Sequence, residues 1–346
     1  MGEEARLTKF LSDDELSELI SAFPAVEFAF AYGSGVVEQQ GYAEHVSTPS
    51  ELPMLDLVLG VKDSEKWHKI NLDRNNGHYS GLARVLGASG VARLQEDFGA
   101  KLYYNALVPM TTTSHRGRSM KYGVISMEHF TKDLHDWTWL YTAGRLHKPV
   151  RVIHGSVEAE AAVQRNLASA VKTALLLLPE KFSAAQFYIT IAGLSYTGDV
   201  RMYFGENPDK VQNIVATTLG RFQDLYAPVL KNTLSLATTG HDCSEYRQDT
   251  SPSTRLALAK SLPSAIRGVL ALGEGACGAG GGLANAGAPL TEGVSKALAA
   301  VVSRSSLRQS AKGLLTAGLF KSASYSLAKV TNAIAGRKKR QYVRRG

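Results

Sequence analysis

The sequence predicts an α/β layer followed by a helical domain and a basic tail. Three observations carry that expectation. Between residues 26 and 127, short runs rich in aromatic and β-branched residues alternate with helical stretches, the pattern of a sheet with helices packed on it. From Glu158 onward strong helix formers dominate. The last 54 residues, 293–346, hold 12 of the 39 basic residues and none of the 31 acidic ones.

The elements follow in order. Residues 12–22 read as a short amphipathic helix, capped by Ser12 with Glu15 three residues later and ended by Pro24. Residues 26–32 read as a strand running into Gly33, Ser34 and Gly35, and residues 54–61 as a second strand holding one aspartate, Asp56. Residues 101–109 and 120–127 are further strands, with helical stretches near 64–75, 78–86 and 90–97. Residues 158–178 form a helix with an apolar stripe at Ala162, Leu167, Val171, Leu175 and Leu178. Helices are expected at 184–194, 211–225 and 255–272, a short strand at 200–204, and a polar loop at 237–255. Residues 273–289 are a Gly/Ala-rich connector. Over 315–334, Leu315, Leu319, Ala323, Leu327, Val330 and Ile334 recur on one helical face, with Lys321 and Lys329 off it and Arg337, Lys338, Lys339 and Arg340 following. That is the pattern of an interfacial basic helix. The expected domains are 1–155, 156–272 and 273–346.

Composition excludes several classes. With 346 residues, 44% hydrophobic and 20% charged, the chain can bury a core. Two cysteines build no disulfide framework. No stretch approaches the ~18 apolar residues of a membrane span. The net charge of +8 is uneven: residues 1–292 hold 27 basic against 31 acidic residues, so the body is mildly acidic and the tail calls for an acidic partner, nucleic acid or anionic membrane. The N-terminus is too acidic to read as a transit peptide. No P-loop motif occurs, and His241-Asp242-Cys243 lacks zinc-site spacing.

The chemistry-bearing pattern starts at the first strand end. Small residues at Gly33, Ser34 and Gly35 let backbone N–H groups approach phosphate oxygens, and Asp56 on the next strand can hold Mg²⁺ against those phosphates. This is the general nucleotidyltransferase arrangement, although the usual second acid is replaced by Val58. Asp199 is the candidate second carboxylate, expected to converge with Asp56; the alternative is a turn aspartate paired with Arg201. Lys121, Arg145 and Lys148 are the candidate phosphate-neutralising cations, which phosphoryl-type transfer requires. His78, Tyr79 and Asn105 are candidate base or ribose contacts.

A set of motifs in register then resembles a known family. They are FAFAYGSG (28–35), MLD (54–56), HYS (78–80), YYN (103–105), KYGVI (121–125), AGRLHKPV (143–150) and AGLSYTGDVRM (192–202), with SLRQSAKG (306–313) and TAG (316–318) near the end. Together they resemble the mitochondrial phosphatidate cytidylyltransferases, the translocator assembly and maintenance family, densely over 25–235 and again over 300–320.

The resemblance implies conversion of CTP and phosphatidate to CDP-diacylglycerol and pyrophosphate with a divalent metal, Mg²⁺, feeding cardiolipin synthesis. It implies a nucleotidyltransferase fold followed by a helical, winged-helix-like domain, bound peripherally to an anionic membrane, the matrix face of the mitochondrial inner membrane, with no nucleic-acid partner. Gly33, Ser34 and Gly35 would cradle the triphosphate, with His78, Tyr79, Asn105 and Lys121 also on the nucleotide. Asp56 and Asp199 would be the catalytic and metal-binding carboxylates. Arg145, Lys148 and Arg201 would hold phosphate or phosphatidate, and Lys321, Lys329, Arg337, Lys338, Lys339 and Arg340 the membrane. A nucleotidyltransferase acting on RNA or a small alcohol, and a non-catalytic assembly factor, are the alternatives.

Overall fold

The computed structural model describes residues 10–37, 48–111, 114–204, 209–231, 233, 236–239, 245–270 and 288–317. The chain divides into two compact units. The first comprises residues 1–130, 150–157 and 308–346; the second comprises 131–149 and 158–307.

In the first unit, helix α1 (Asp13–Ser21) has the expected capping box: the Ser12 hydroxyl accepts from Glu15 N–H and the Glu15 carboxylate accepts from Ser12 N–H. Strand β1 (Phe28–Tyr32) ends in a tight turn at Gly33–Gly35, and β2 (Leu55–Val61) follows. Helices α2 (Ser64–Arg74) and α3 (Gly81–Asp97) come next, then β3 (Tyr103–Pro109) and β4 (Ser119–Ser126). Helix α3 is broken at Gly87, whose φ is 64°. After α4 (Met127–Asp136) and α5 (Thr142–Leu146), β5 (Arg151–His154) returns to the sheet. The sheet order is β3-β4-β2-β1-β5; β2 and β4 are parallel and the other pairs antiparallel.

Register divides this sheet into two faces. Asp56 stands opposite both Tyr32 and Lys121, so these three share one face. The alternate residues Ala29, Ala31, Leu55, Leu57, Leu59, Tyr122 and Val124 share the other. That second face is the core, packed with Leu16 and Leu19 of α1, Phe23, and Trp67 of α2.

The second unit begins its long helices with α6 (Val157–Leu177), whose expected stripe is buried at Ala162, Leu167, Val171 and Leu175. Strand β6 (Lys181–Ser183), α7 (Ala184–Gly193), α8 (Arg201–Phe204) and α9 (Lys210–Leu230) follow. Strands β7 (Leu236–Thr239) and β8 (Glu245–Gln248) join β6 in an antiparallel sheet of order β6-β8-β7. Tyr188 of α7 packs against Phe222 and Tyr226 of α9 with ring centroids 5.4 and 5.9 Å apart. Helices α10 (Pro252–Lys260), α11 (Ser264–Val269) and α12 (Ala288–Ala317) complete the described chain.

Four expectations are corrected. Residues 201–204 are helical rather than a strand, because the Asp199 carboxylate and carbonyl accept from the N–H groups of Arg201 and Met202 and start a turn. The expected loop at 237–255 contains β7, β8 and the start of α10. The expected helix at 255–272 is two helices, divided before Pro263, which has no N–H to continue the first. Ala288 and Pro289, placed in the connector, open α12. The rest of the connector falls within 271–287 and lies outside the described residues, as does the tail beyond Ala317 with Lys321, Lys329, Arg337, Lys338, Lys339 and Arg340.

Candidate active site

In the first unit the site is built on the turn after β1. Gly33 has φ +79°, a left-handed conformation that disfavours side chains. A Cβ on Gly35 would lie 2.6 Å from the Met54 carbonyl oxygen, so the turn closes against the chain entering β2 only with glycine there. Arg118, fully buried, locks this arrangement. Its guanidinium donates to the carbonyls of Gly35 (2.9 Å) and Pro53 (2.8 Å), and burial lowers its pKa to about 10. A cation therefore sits beneath the glycine turn, bonded to two carbonyls and the His115 ring, which raises the positive potential there.

Asp56 lies beside that turn. One carboxylate oxygen meets the Lys121 ammonium at 2.7 Å, and the other lies 3.7 Å from where a Cβ on Gly33 would be. Both side chains keep about a fifth of their surface exposed, 21% for Asp56 and 18% for Lys121. The Lys121 ammonium also lies 5.2 Å from the centre of the Tyr104 ring. Gly123 makes room for that ring, since a Cβ there would come within 2.5 Å of it. Among the described residues no group of three or more His, Cys, Asp or Glu side chains is placed to hold a metal ion. Mg²⁺, however, is commonly held by one or two carboxylates plus substrate phosphates and waters. A single part-exposed carboxylate beside the Gly33–Gly35 turn fits that mode.

His78, Tyr79 and Asn105 are not brought to this face. Asn105 stands opposite Tyr122, on the core face. The Tyr122 hydroxyl receives hydrogen bonds from Asn105 (2.9 Å) and Asn71 (3.0 Å) and lies 3.1 Å from His78 Nδ1. The Tyr79 hydroxyl is bonded to His68 (2.8 Å) and Asn71 (2.9 Å). Tyr79 and Asn105 are 1% and 3% exposed. In this structure Tyr79 and Asn105 belong to a buried polar network on the core face, with the part-buried His78 at its edge. Burial lowers His68 to about 4 and pushes Tyr122 well up, so these two side chains stay neutral.

The second unit gathers the other cations. Asp133, buried, accepts five backbone N–H groups, those of Trp139, Leu140, Tyr141, Thr142 and Ala143, at 2.8–3.1 Å. This holds a loop in which Trp137 (φ 53°) and Leu140 (φ 47°) are left-handed. The loop presents Tyr141, with the Arg145 guanidinium 4.0 Å from its ring centre and that of Arg201 6.0 Å. Lys148 donates to the Gly144 carbonyl and to Ser195 Oγ (3.1 Å). Gly144 is required, because a Cβ there would meet Ser195 Cβ at 2.2 Å. Lys148 and Lys210 lie 5.2 and 5.7 Å from the Tyr196 ring centre. Burial, then Arg145 and Lys210, lower the Lys148 pKa to about 7. The cluster brings together four cations and two aromatic faces, a set of groups that can receive an anion.

Asp199 is held by Arg201 in this structure. It is 1% exposed, and both its oxygens accept from Arg201, at 2.6–3.1 Å. That is the turn-aspartate alternative. It lies in the second unit and Asp56 in the first. Sequence reasoning missed Arg118, Asp133 and Lys210, whose roles depend on folded contacts that no local pattern announces. It placed Gly33, Gly35, Asp56 and Lys121 together, and Arg145, Lys148 and Arg201 together.

Comparison with known proteins gives one answer. A family model described as mitochondrial phosphatidate cytidylyltransferase matches residues 16–332. A mitochondrial phosphatidate cytidylyltransferase of Drosophila melanogaster is 39% identical over 337 residues, covering 91% of this chain and 97% of its own length. Those of Xenopus laevis and Mus musculus are 38% and 37% identical, covering 91% and 93% of this chain and 93% and 95% of theirs.

Proposed function

The chain belongs to the mitochondrial phosphatidate cytidylyltransferase family, and from that membership we propose how its residues carry the reaction. It is a nucleotidyltransferase that joins the CMP part of CTP to phosphatidate. A phosphate oxygen of phosphatidate attacks the α-phosphorus of CTP, the bond to the β-phosphate oxygen breaks, and pyrophosphate leaves as CDP-diacylglycerol forms. The attacking monoester has a second pKa of ~6 and is largely dianionic at pH 7, so no strong base is needed. The obstacle is the approach of two polyanions.

The first unit takes the nucleotide. The Gly33–Gly35 turn cradles the triphosphate, and Ser34 adds a hydroxyl donor. Lys121 neutralises charge on the phosphates, and Arg118 strengthens the positive potential beneath the turn. Asp56 holds Mg²⁺, which when bound neutralises charge on the phosphate oxygens. The second unit takes a phosphate monoester: Arg145, Lys148, Arg201 and Lys210 face it, and Asp199 orients Arg201. The order α6-β6-α7-α8-α9-β7-β8, in which α8 is one short turn, with the sheet β6-β8-β7 supports a winged-helix-like reading of that unit. Binding to the matrix face of the inner membrane as a peripheral protein, and supply of cardiolipin synthesis, complete the proposal. No helix among the described residues is long and apolar enough to cross a membrane.

The observation that carries the reading is the Asp56–Lys121 pair beside the glycine turn. The test is incorporation of radiolabelled CTP into lipid by the full chain, with phosphatidate present and Mg²⁺ titrated. Label in CDP-diacylglycerol that depends on both supports it; incorporation into RNA or a small alcohol instead overturns it.

A further inference from the structure

The first half of α3 carries an apolar face that the reaction does not use. Leu82, Val85 and Leu86 are 49%, 86% and 42% exposed. Their spacing of three and four places them side by side on one helical face. The same helix turns Ala83 inward, 2% exposed, into a cluster with Tyr79, Val91 and Tyr103. This end of α3 is therefore fixed to the unit by one side and presents three aliphatic side chains on the other. The break at Gly87 ends that face.

We propose that this face is a membrane-docking surface that inserts into an anionic bilayer. The inference rests on the reading above that one substrate is a membrane lipid. Charge complementarity favours this occupant. From Arg74 to Gln95 the chain holds no acidic residue, although Asp73 and Glu96-Asp97 bound the stretch and Arg93, past the break, stands with Glu96 and Asp97. On the apolar half the one charged residue is the exposed Arg84, and aliphatic side chains beside an arginine match an interface of acyl chains beneath anionic headgroups. Continuity with the basic tail argues the same way. At the other end of α3, Lys312 of α12 donates to the carbonyls of Leu94 (3.1 Å) and Phe98 (2.7 Å). Gln309 accepts from Ala100 N–H (2.9 Å) and donates to the Leu102 carbonyl (3.2 Å). A Cβ on Gly99 would lie 2.5 Å from Gln309 Oε1, so glycine admits the contact. Helix α12 is thus fixed to the α3 C-terminus through Gln309 and Lys312, and the sequence after Ala317 holds eight basic residues and no acidic one.

The test uses the full chain and the triple variant Leu82→Ser, Val85→Ser, Leu86→Ser, all at exposed positions. Partition is read by co-sedimentation with phosphatidylcholine vesicles, with and without phosphatidate. Turnover is read on long-chain phosphatidate in those vesicles and on water-soluble dihexanoyl phosphatidate. The expected result is at least about a tenfold loss of partition and of turnover in vesicles, with turnover of the soluble substrate unchanged. Wild-type partition in the triple variant overturns the proposal. So does equal loss on both substrates, which would place the helix in the reaction site. A change of oligomeric state with partition intact also overturns it, and assigns the face to a second copy of the chain. If the wild type turns over neither substrate, the enzymatic reading fails, while partition still decides the docking surface.

Discussion

Asp56 and Lys121 stand directly opposite each other on the parallel strands β2 and β4, carboxylate to ammonium at 2.7 Å, beside a turn closed by two glycines. The pair is partly open to solvent at the end of a sheet face that is buried further along by Phe28, Phe30 and Val58. A surface ion pair of this kind is worth at most ~1 kcal/mol to stability. The role proposed for the pair is therefore in ligand binding rather than in folding.

Lys121→Ala is accordingly expected to lower kcat/KM for CTP by about 100-fold, the scale of losing one charge-stabilising group. The urea midpoint should stay close to wild type. Steady-state kinetics with CTP varied, together with urea unfolding, check both halves. A large loss of stability with intact kinetics would make the pair a structural one.

Asp199 separates two roles by its metal dependence. Its oxygens are occupied by Arg201, so Asp199→Asn should raise KM for phosphatidate while leaving the Mg²⁺ concentration for half-maximal rate unchanged. A shift of the Mg²⁺ midpoint would return Asp199 to the metal.

Lys148 gives a pH dependence with a definite sign. Its pKa is lowered to about 7, by burial and then by Arg145 and Lys210. The charged form is present below that pH and is lost as pH rises through it. Tyr141, Tyr196 and Arg201 with Asp199 complete the groups that face this cluster. KM for phosphatidate should therefore rise from about pH 6.5 to 8.5 in the wild type. Lys148→Arg, charged throughout, should flatten the rise. An equally steep profile in that variant would assign the titration to another group.

Asp133 is expected to matter most to stability. Replacing it by alanine leaves five loop N–H groups without their acceptor, and each orphaned buried donor costs about 1–3 kcal/mol before water or rearrangement relieves it. A net loss above about 3 kcal/mol is expected by urea unfolding. A loss under about 1 kcal/mol would show that the loop holds its own conformation.

Most elements were legible because their signals are local. The Ser12–Glu15 capping box, the apolar stripe of α6 and the short apolar runs of β2 and β4 can be read within a dozen residues. The Gly33–Gly35 turn and Asp56 were legible because the chemistry needs small residues beside an acid. Residues 200–204 misled because the apolar run after Arg201 suggests a strand, whereas the Asp199 side chain nucleates a helical turn. The strands β5, β6, β7 and β8 escaped notice because three or four residues are too few to display a period. His78, Tyr79 and Asn105 read as ligand contacts because polar side chains carry no mark of burial; only the register of β3 on β4 sends Asn105 to the core. Arg118 reaches across 65 and 83 positions to its carbonyl partners, a relation with no local trace.

The most direct measurement is CDP-diacylglycerol formation from CTP and phosphatidate by Asp56→Ala beside wild type, with circular dichroism and urea unfolding to establish that both are folded. The predicted result is product from the wild type and none above background from the folded variant. Near-normal synthesis by Asp56→Ala would contradict the account, because the residue at the glycine turn would then have no part in the chemistry.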